Sequence, residues 1–403
     1  MVLETIIRVN YRPPKQVVYN NIGGNMKKPK KSYNPTLCVT HQCNLSCVYC
    51  YQNHDVNNNM TIETAKEAID WIVKNIPEED EIVSLSFIGG EPLIKFNLIK
   101  EVYEYVGTIE KRKPFRFFAS TNGTLLNDEM KKWFIERKDH FYLGLSIDGN
   151  KETHDANRSN SFDKIDKEFF LKTWPGQGVK MTLSEYSLSH LAENIIYLHE
   201  LGFKTIDGVN LAEGNFDWEK DEYIRIIVPQ LKQLVEYYST HIDIELDQAF
   251  GKHIELCSAK KGERKKWCGI GDNMVFFDTD GKRYPCSFVT PMTFSEEKIK
   301  EIEKINFEDN NNFIDEYCCN NCYIYPVCPT CSGANYLVNN DFKTRNKSKC
   351  RITKLISLFV AELHMNRILN HPELYENETV LYHTIEAIDQ IRELYLDDFK
   401  QFF

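Results

Sequence analysis

The sequence predicts an α/β fold, in which a partial barrel of strands and helices precedes a small cysteine-rich domain and C-terminal helices. Short apolar runs alternate with amphipathic stretches over residues 36–240, and nine of the thirteen cysteines fall between Cys257 and Cys350. The chain has 403 residues, of which 42% are hydrophobic, which is enough for one barrel-sized core and a smaller one.

The alternating region contains six strand–helix units. The predicted strands are TLCVTHQC, VSLSFIGGEP, FRFFASTNG, FYLGLSIDG, VKMTLS and TIDGVNL. The amphipathic segment ETAKEAIDWIVKNI is the first predicted helix, with Thr61 or Thr64 as its N-cap. Repeated β–α units form a parallel sheet whose polar strand ends collect at one edge. Six units make a partial (β/α)6 TIM-like barrel, one side of which another part of the chain must close.

Composition excludes several classes of protein. Asp and Glu outnumber Lys and Arg by 59 to 49, a net charge of −10 that argues against nucleic acid as a partner. No apolar run reaches the roughly 18–20 residues that a membrane span requires. The N-terminal residues do not resemble a signal peptide. We therefore expect a cytoplasmic protein whose cysteines stay reduced.

Two groups of cysteines are separated by about two hundred residues without cysteine. The first group contains a CxxxCxxC triplet, Cys43, Cys47 and Cys50, directly after the first predicted strand. Three thiolates on one loop can hold three irons of a four-iron cluster and leave the fourth iron open. Zinc is the alternative, although structural zinc sites usually contain two CxxC-type pairs.

This triplet and the motifs that follow it resemble the radical S-adenosylmethionine (SAM) enzymes. Gly89-Gly90-Glu91-Pro92 resembles their GGEP motif, Ser120–Gly123 their TNG strand end, and Ser146–Arg158 their SxDG…HDxxR segment. In that family these motifs bind SAM. The resemblance therefore implies a SAM site formed by Tyr49, Gly89, Gly90, Glu91, Asn122, Ser146 and Arg158.

The second group of cysteines resembles a SPASM domain, the part of such enzymes that binds two auxiliary four-iron clusters. Cys268 and Cys286 flank Gly281 as in the family's CX(9–15)GX4C segment. The later CX2CX5C run also matches, but this chain is one residue shorter before Cys331. The resemblance implies one cluster on Cys257, Cys268, Cys286 and Cys331, and another on Cys319, Cys322, Cys328 and Cys350.

Two cysteines have no ligand role in this scheme. Cys318, beside a ligand, is a candidate catalytic donor of a hydrogen atom; the alternative, for Cys318 as for Cys38, is an inert buried thiol. A zinc ribbon is the alternative for residues 268–350.

The resemblance divides the chain into four parts: an N-terminal segment (1–35), a radical SAM partial barrel (36–240), a SPASM domain (241–355) and C-terminal helices (356–403). It implies SAM and three 4Fe-4S clusters as cofactors, and a precursor peptide or protein as substrate. An electron donor such as flavodoxin or ferredoxin is implied as well. Because few residues precede the first strand, we expect no N-terminal peptide-recognition domain, and a separate recognition protein is an option.

The implied function is an oxidoreductase that matures ribosomally made peptides, with cross-link formation first and epimerisation second. Oxidation of Cys or Ser, as in sulfatase maturases, comes third, because Cys286 is followed by Ser287 where those enzymes have an Asp base. Asp278 and Asp280 are possible substitutes for that base. The alternative from another class is a non-enzymatic iron–sulfur or zinc-binding electron-transfer protein, which has no need of a SAM-binding set.

Overall fold

A computed structural model describes residues 32–403 apart from 54–56, 213–216, 260–265, 267, 315–318, 320 and 376. Cys318 and most of the predicted N-terminal segment therefore lie outside the described residues. Among the helices of the described part, none has the length and apolar character to cross a membrane.

The strands form a curved, mostly parallel wall. They are β1 (Ser32–Thr40), β2 (Ile82–Gly89), β3 (Phe115–Thr121), β4 (Phe141–Leu145), β5 (Val179–Leu183), β6 (Ile206–Leu211), β7 (Met274–Phe277) and β8 (Arg283–Tyr284). One sheet has the order β4-β3-β2-β1-β7-β8, in which β8 alone is antiparallel to its neighbour. Strands β5 and β6 pair in parallel, and Ile147 N–H donates to the Lys180 carbonyl at 2.9 Å, which joins this pair to the end of β4. The six predicted strands and the partial barrel are confirmed.

Helices follow most of the barrel strands. They are α1 (Ile62–Lys74), α2 (Phe96–Thr108), α3 (Asp128–Ile135), α4 (Lys151–Asn157), α5 (Lys167–Thr173), α6 (Leu191–Glu200) and α7 (Asp221–Thr240). Thr61 is the N-cap of α1, because its hydroxyl accepts from Thr64 N–H at 3.1 Å. The sequence pattern predicts neither α4 nor α5. Each has seven residues, too few to show a helical period, and each begins at an Asx cap, Asn150 or Asp166.

Aromatic side chains pack along the barrel wall. Phe87, Phe117 and Phe141 lie side by side on β2, β3 and β4, with ring centroids 5.7–6.4 Å apart and nearly parallel rings. Trp133 and Phe134 of α3 pack edge-on against Phe141. Buried aromatic pairs of this kind add to the apolar burial that holds helices on a sheet, and here they join α3 to the strands that carry the predicted site residues.

Residues after 240 contribute the strands β7 and β8 to the barrel sheet and otherwise form mainly helices. β7 pairs with β1 in parallel, with Leu37 opposite Phe277. The helices are α8 (Glu255–Ala259), α9 (Glu296–Ile302), α10 (Ser332–Asn339), α11 (Lys347–Asn370) and α12 (Glu378–Tyr395). The described elements between residues 240 and 347 are short, whereas α11 is long and half of its residues are buried. A second apolar core of residues such as Phe288, Met292 and Phe342 fills this part.

Candidate cofactor and metal sites

The CxxxCxxC triplet lies on a tight loop at the carboxyl end of β1. Within the loop Cys50 N–H donates to the Cys47 carbonyl at 3.1 Å, and Val48 N–H donates to Asn157 at 3.0 Å. Burial, with smaller contributions from neighbouring thiolates, raises the pKa of Cys47 to about 11 and also raises that of Cys43. Because these pKa values are raised, the three cysteines become thiolates together only when they bind a cation. An iron–sulfur cluster with one open iron fits three such ligands.

Two glycines hold β2 against this loop. A Cβ on Gly89 would lie 2.2 Å from the Thr40 carbonyl oxygen, and one on Gly90 would lie 2.3 Å from that of Gln42. Gly90 N–H donates to Thr40 at 3.1 Å, and Glu91 N–H donates to Gln42 at 2.9 Å. Only glycine permits this approach, so the Gly-Gly pair fixes the start of the cysteine loop.

Glu91 is a buried carboxylate, 1% exposed, at the ends of β2 and β3. It accepts hydrogen bonds from Leu93 N–H at 3.1 Å, the Thr121 hydroxyl at 2.8 Å and Asn122 N–H at 2.7 Å. Burial raises its pKa to about 7, and these three bonds oppose the rise. An ammonium group beside this carboxylate would favour its charged form. The Asn122 side chain donates to Asn44 at 2.9 Å and so ties the end of β3 to the cysteine loop.

Asp148, which follows β4, accepts hydrogen bonds from two of the predicted SAM-site residues, Tyr49 and Arg158. Its carboxylate accepts from the Tyr49 hydroxyl at 2.5 Å, Arg158 Nε at 2.9 Å and Thr182 N–H at 3.0 Å. The Arg158 guanidinium lies 5.3 Å from the centre of the Tyr49 ring. The sequence prediction does not include Asp148 among the site residues. Its position ten residues before the predicted site residue Arg158 could have indicated an ion pair between the two.

Ser146 lies beside the same strand ends. Its N–H donates to the Thr121 carbonyl at 2.9 Å, which places it next to Asn122. The structure thus brings the residues of the predicted SAM set to one edge of the barrel, around the loop that carries Cys43.

Four C-terminal cysteines share one cavity of about 640 Å³, and they are Cys319, Cys322, Cys328 and Cys350. Arg345, 5% exposed, also lines this cavity. Burial raises the pKa of Cys328 and of Cys350, and the Arg345 guanidinium opposes both shifts. Its Nη2 donates to the Pro329 carbonyl at 2.7 Å, while its buried Nε has no protein acceptor among the described residues. A sulfur-rich anionic cluster fits a chamber with four thiols and a buried donor.

Three more cysteines form a second set. Burial raises the pKa of Cys286 to about 12, the N–H groups of Val289 and Phe288 oppose the rise, and the charges of Cys331 and Cys268 add to it. All three pack against the second apolar core. The fourth predicted member, Cys257, is buried. Burial raises the pKa of its thiol, the charges of Cys322, Glu255 and Cys328 add to the rise, and the Lys252 ammonium opposes it. Cys257 therefore lies beside the four-cysteine chamber, and its ligand role stays a prediction.

The two proposed substitutes for a sulfatase-type base occupy different surroundings. Asp278 is 4% exposed and bonded to His41 Nε2 at 2.5 Å and to Thr279 N–H at 2.7 Å. Asp280 forms an ion pair with Lys282 at 3.3 Å. Cys38 is fully buried beside Asp278, and burial raises the pKa of its thiol. The Asp278 carboxylate is thus committed to contacts within the protein.

Comparisons with known proteins agree with this geometry. Residues 37–227 match the Radical SAM superfamily profile. An uncharacterized protein of Methanocaldococcus jannaschii is 31% identical over 258 residues, which are 62% of this chain and 83% of that protein. A cysteine-type anaerobic sulfatase-maturating enzyme of Clostridium novyi is 26% identical over 72% of this chain and 84% of its own length. The solved structure of anSMEcpe with bound AdoMet and Kp18Cys peptide superposes with a TM-score of 0.65 at 20% identity, over 85% of this chain and 99% of that one.

Proposed function

The chain belongs to the radical SAM superfamily, and from that membership we propose that it is a maturase that forms a cross-link in a ribosomally made peptide. The observation that carries the proposal is the joint presence of two arrangements. One is the CxxxCxxC loop surrounded by Glu91, Asn122 and Ser146 at the barrel edge. The other is the C-terminal chamber lined by four cysteines. A protein that only carries electrons needs the second arrangement but has no use for the first.

We assign the SAM-binding cluster to Cys43, Cys47 and Cys50, and two auxiliary clusters to the C-terminal cysteines of a SPASM domain. When bound, these clusters supply electron transfer: one electron cleaves SAM to methionine and a 5′-deoxyadenosyl radical, and one electron is accepted from the substrate. In a cross-link the substrate loses two hydrogens, one to the deoxyadenosyl group and one as a proton.

The chain's own residues bind and orient SAM. Glu91 offers a buried carboxylate to the methionyl ammonium, and Thr121 and Asn122 fix its position. Ser146 is assigned to the methionyl carboxylate. Asp148 holds Tyr49 and Arg158 in place. Groups held in advance in this way lower the cost of aligning the reacting atoms.

The choice of a cross-link over epimerisation rests on the auxiliary clusters, which suit an oxidative product. Oxidation of Cys or Ser to formylglycine requires a base, but Ser287 follows Cys286, and the two candidate bases are engaged: Asp278 is hydrogen-bonded to His41, and Asp280 forms an ion pair with Lys282. The second candidate is this oxidation, which the similarity to a sulfatase-maturating enzyme favours. Epimerisation, which the sequence analysis ranks second, becomes the third candidate. A flavodoxin or ferredoxin as donor, a separate recognition protein and a cytoplasmic location remain parts of the proposal.

The test uses protein reconstituted without oxygen and incubated with SAM, dithionite and synthetic peptides that cover the short open reading frames on either side of its gene. Liquid chromatography and mass spectrometry follow 5′-deoxyadenosine and the mass of the peptide. We expect deoxyadenosine and a peptide lighter by two hydrogens that gives no reaction with a hydrazide. A hydrazide-reactive product indicates formylglycine and favours the second candidate. A modified peptide of unchanged mass indicates epimerisation, and absence of deoxyadenosine contradicts the proposal.

A further inference from the structure

A second cavity, of about 420 Å³, lies between the barrel and the cysteine-rich part. Its wall includes Asn210 and Leu211 at the carboxyl end of β6 and Cys331 from the second cysteine set. The carboxyl ends of parallel strands meet at one edge of a sheet, so this cavity is on the same side of the barrel as Glu91. Its volume is within the range of about 300–1,000 Å³ typical of ligand pockets.

The charged side chains that line this cavity are basic. Lys252, Arg345 and Lys349 line it, and none of the described residues that line it is Asp or Glu. His253, also on the wall, is paired with Glu255 at 3.1 Å. This arrangement stands out in a chain with a net charge of −10, and it favours an anionic ligand.

The three cations differ in what they contact. Arg345 donates to the Pro329 carbonyl and also lines the four-cysteine chamber, while Lys349 Nζ donates to the Leu211 carbonyl at 3.3 Å. The Lys252 ammonium has no hydrogen bond or ion pair with any residue that the structure describes. Burial lowers the pKa of Lys252, and the charges of Cys328, Cys257 and Asp247 oppose the shift. An ammonium that lines a cavity and has no hydrogen-bond acceptor in the protein keeps its donors for an anionic ligand.

We propose that this cavity binds the carboxylate of an Asp or Glu side chain of the peptide substrate, with Lys252 as its main partner and Lys349 as the second. The proposal rests on the proposed function, because it takes a peptide as the substrate. A peptide anchored here lies between the end of β6 and Cys331, beside the wall that carries the predicted auxiliary cluster. The site thereby selects peptides with an acidic residue at a fixed distance from the residue to be modified.

The experiment is a positional-scanning peptide library passed without oxygen over immobilised, cluster-loaded protein with SAM. Retained peptides are sequenced by mass spectrometry. We expect Asp and Glu to be enriched about tenfold over Asn and Gln at one position, the scale of one charge-assisted hydrogen bond. Lys252→Gln should abolish the enrichment, and Lys349→Gln should reduce it. Lys132→Gln, on the exposed face of α3, is the matched control and should leave it unchanged.

Iron content is measured for every variant, because a Lys252→Gln protein that loses iron reports on folding rather than on binding. In that event the test uses Lys349→Gln and compares the enrichment on the wild-type protein at low and high salt. Salt screens charges that solvent can reach, so the enrichment should fall at high salt. Two results would overturn the inference and leave the proposed function standing. In one, the retained peptides show no preference for Asp or Glu; in the other, they show that preference and the lysine variants do not change it. Retention of no peptide at all overturns both.

Discussion

The two cysteine-bearing regions of this protein are built in opposite ways. The barrel site takes its three predicted ligands from a loop of eight residues, Cys43–Cys50, which two strand ends and a Gly-Gly contact hold in place. The C-terminal chamber collects its cysteines from positions 319 to 350, in a part with few strands. The barrel loop is therefore organised by the backbone around it, whereas the chamber depends on what its cysteines bind.

The largest effect is expected from Cys47→Ala. Removing one of three ligands on a single loop should abolish formation of 5′-deoxyadenosine, because the fourth iron can no longer be presented to SAM. Iron per chain should fall by about four, the content of one such cluster. The far-ultraviolet circular dichroism spectrum should stay unchanged, because the sheet holds the cysteine loop in place and does not depend on that loop for its own structure.

Cys38→Ala is the matched control for that variant. Cys38 is buried in β1, five residues before Cys43, and its sulfur lies 3.9 Å from that of Met292. Its replacement should leave both iron content and SAM cleavage unchanged. Loss of four irons from this variant would show that the assignment of the triplet is incomplete.

Cys322→Ala tests the other side of the comparison. We expect a loss of about four irons, an intact SAM-cleavage reaction in the absence of peptide, and no modified peptide. Because the chamber lacks an extensive sheet, its loss of metal should also expose residues 241–403 to limited proteolysis. A variant with normal proteolytic resistance would contradict the view that metal binding organises this part.

Glu91→Gln should have an intermediate effect. The substitution keeps the shape of the side chain but removes the negative charge that we propose for the SAM ammonium, and it weakens the hydrogen bonds from Thr121 and Asn122. We expect SAM to bind roughly 10- to 100-fold more weakly, measured by equilibrium dialysis, with iron content unchanged. Glu63→Gln, exposed in the first turn of α1, is the control. Unaltered SAM binding would show that Glu91 does not contact the SAM ammonium.

The smallest effect concerns the pH dependence of the barrel. Burial lowers the pKa of His154 from 6.5 to about 4, and its ring contacts Asp148 N–H and the Ser161 hydroxyl. The unfolded chain therefore binds a proton more readily, and stability is lost as pH falls from about 6.5 towards 4. We expect the free energy of unfolding to fall by about 1 kcal/mol between pH 7 and pH 5.5 from this residue.

Urea unfolding at the two pH values measures that change. His154→Gln should be less stable than wild type at pH 7 and should show a smaller difference between the two conditions. An identical pH dependence in the variant would mean that other groups produce it.

Sequence reasoning predicted the barrel well because its signals are local. Each strand end carries its own motif, and Gly89, Glu91 and Asn122 are placed by the strands that precede them. The contacts made by Asp148 were harder to predict, since they join Tyr49, Arg158 and Thr182 from three different segments. Lys252 and Arg345 have no motif at all. Their importance follows from tertiary packing, which places them on cavity walls next to distant cysteines.

The pairing of β7 with β1 has a consequence for how this protein forms during synthesis. β1 ends at Thr40, but its partner on one side begins at Met274, after about two thirds of the chain has left the ribosome. Until then β1 has an unpaired edge, the kind of surface that promotes aggregation. The barrel must therefore wait for the cysteine-rich part before its edge is covered. Chaperone binding to the nascent chain should thus persist until residues 274–277 emerge.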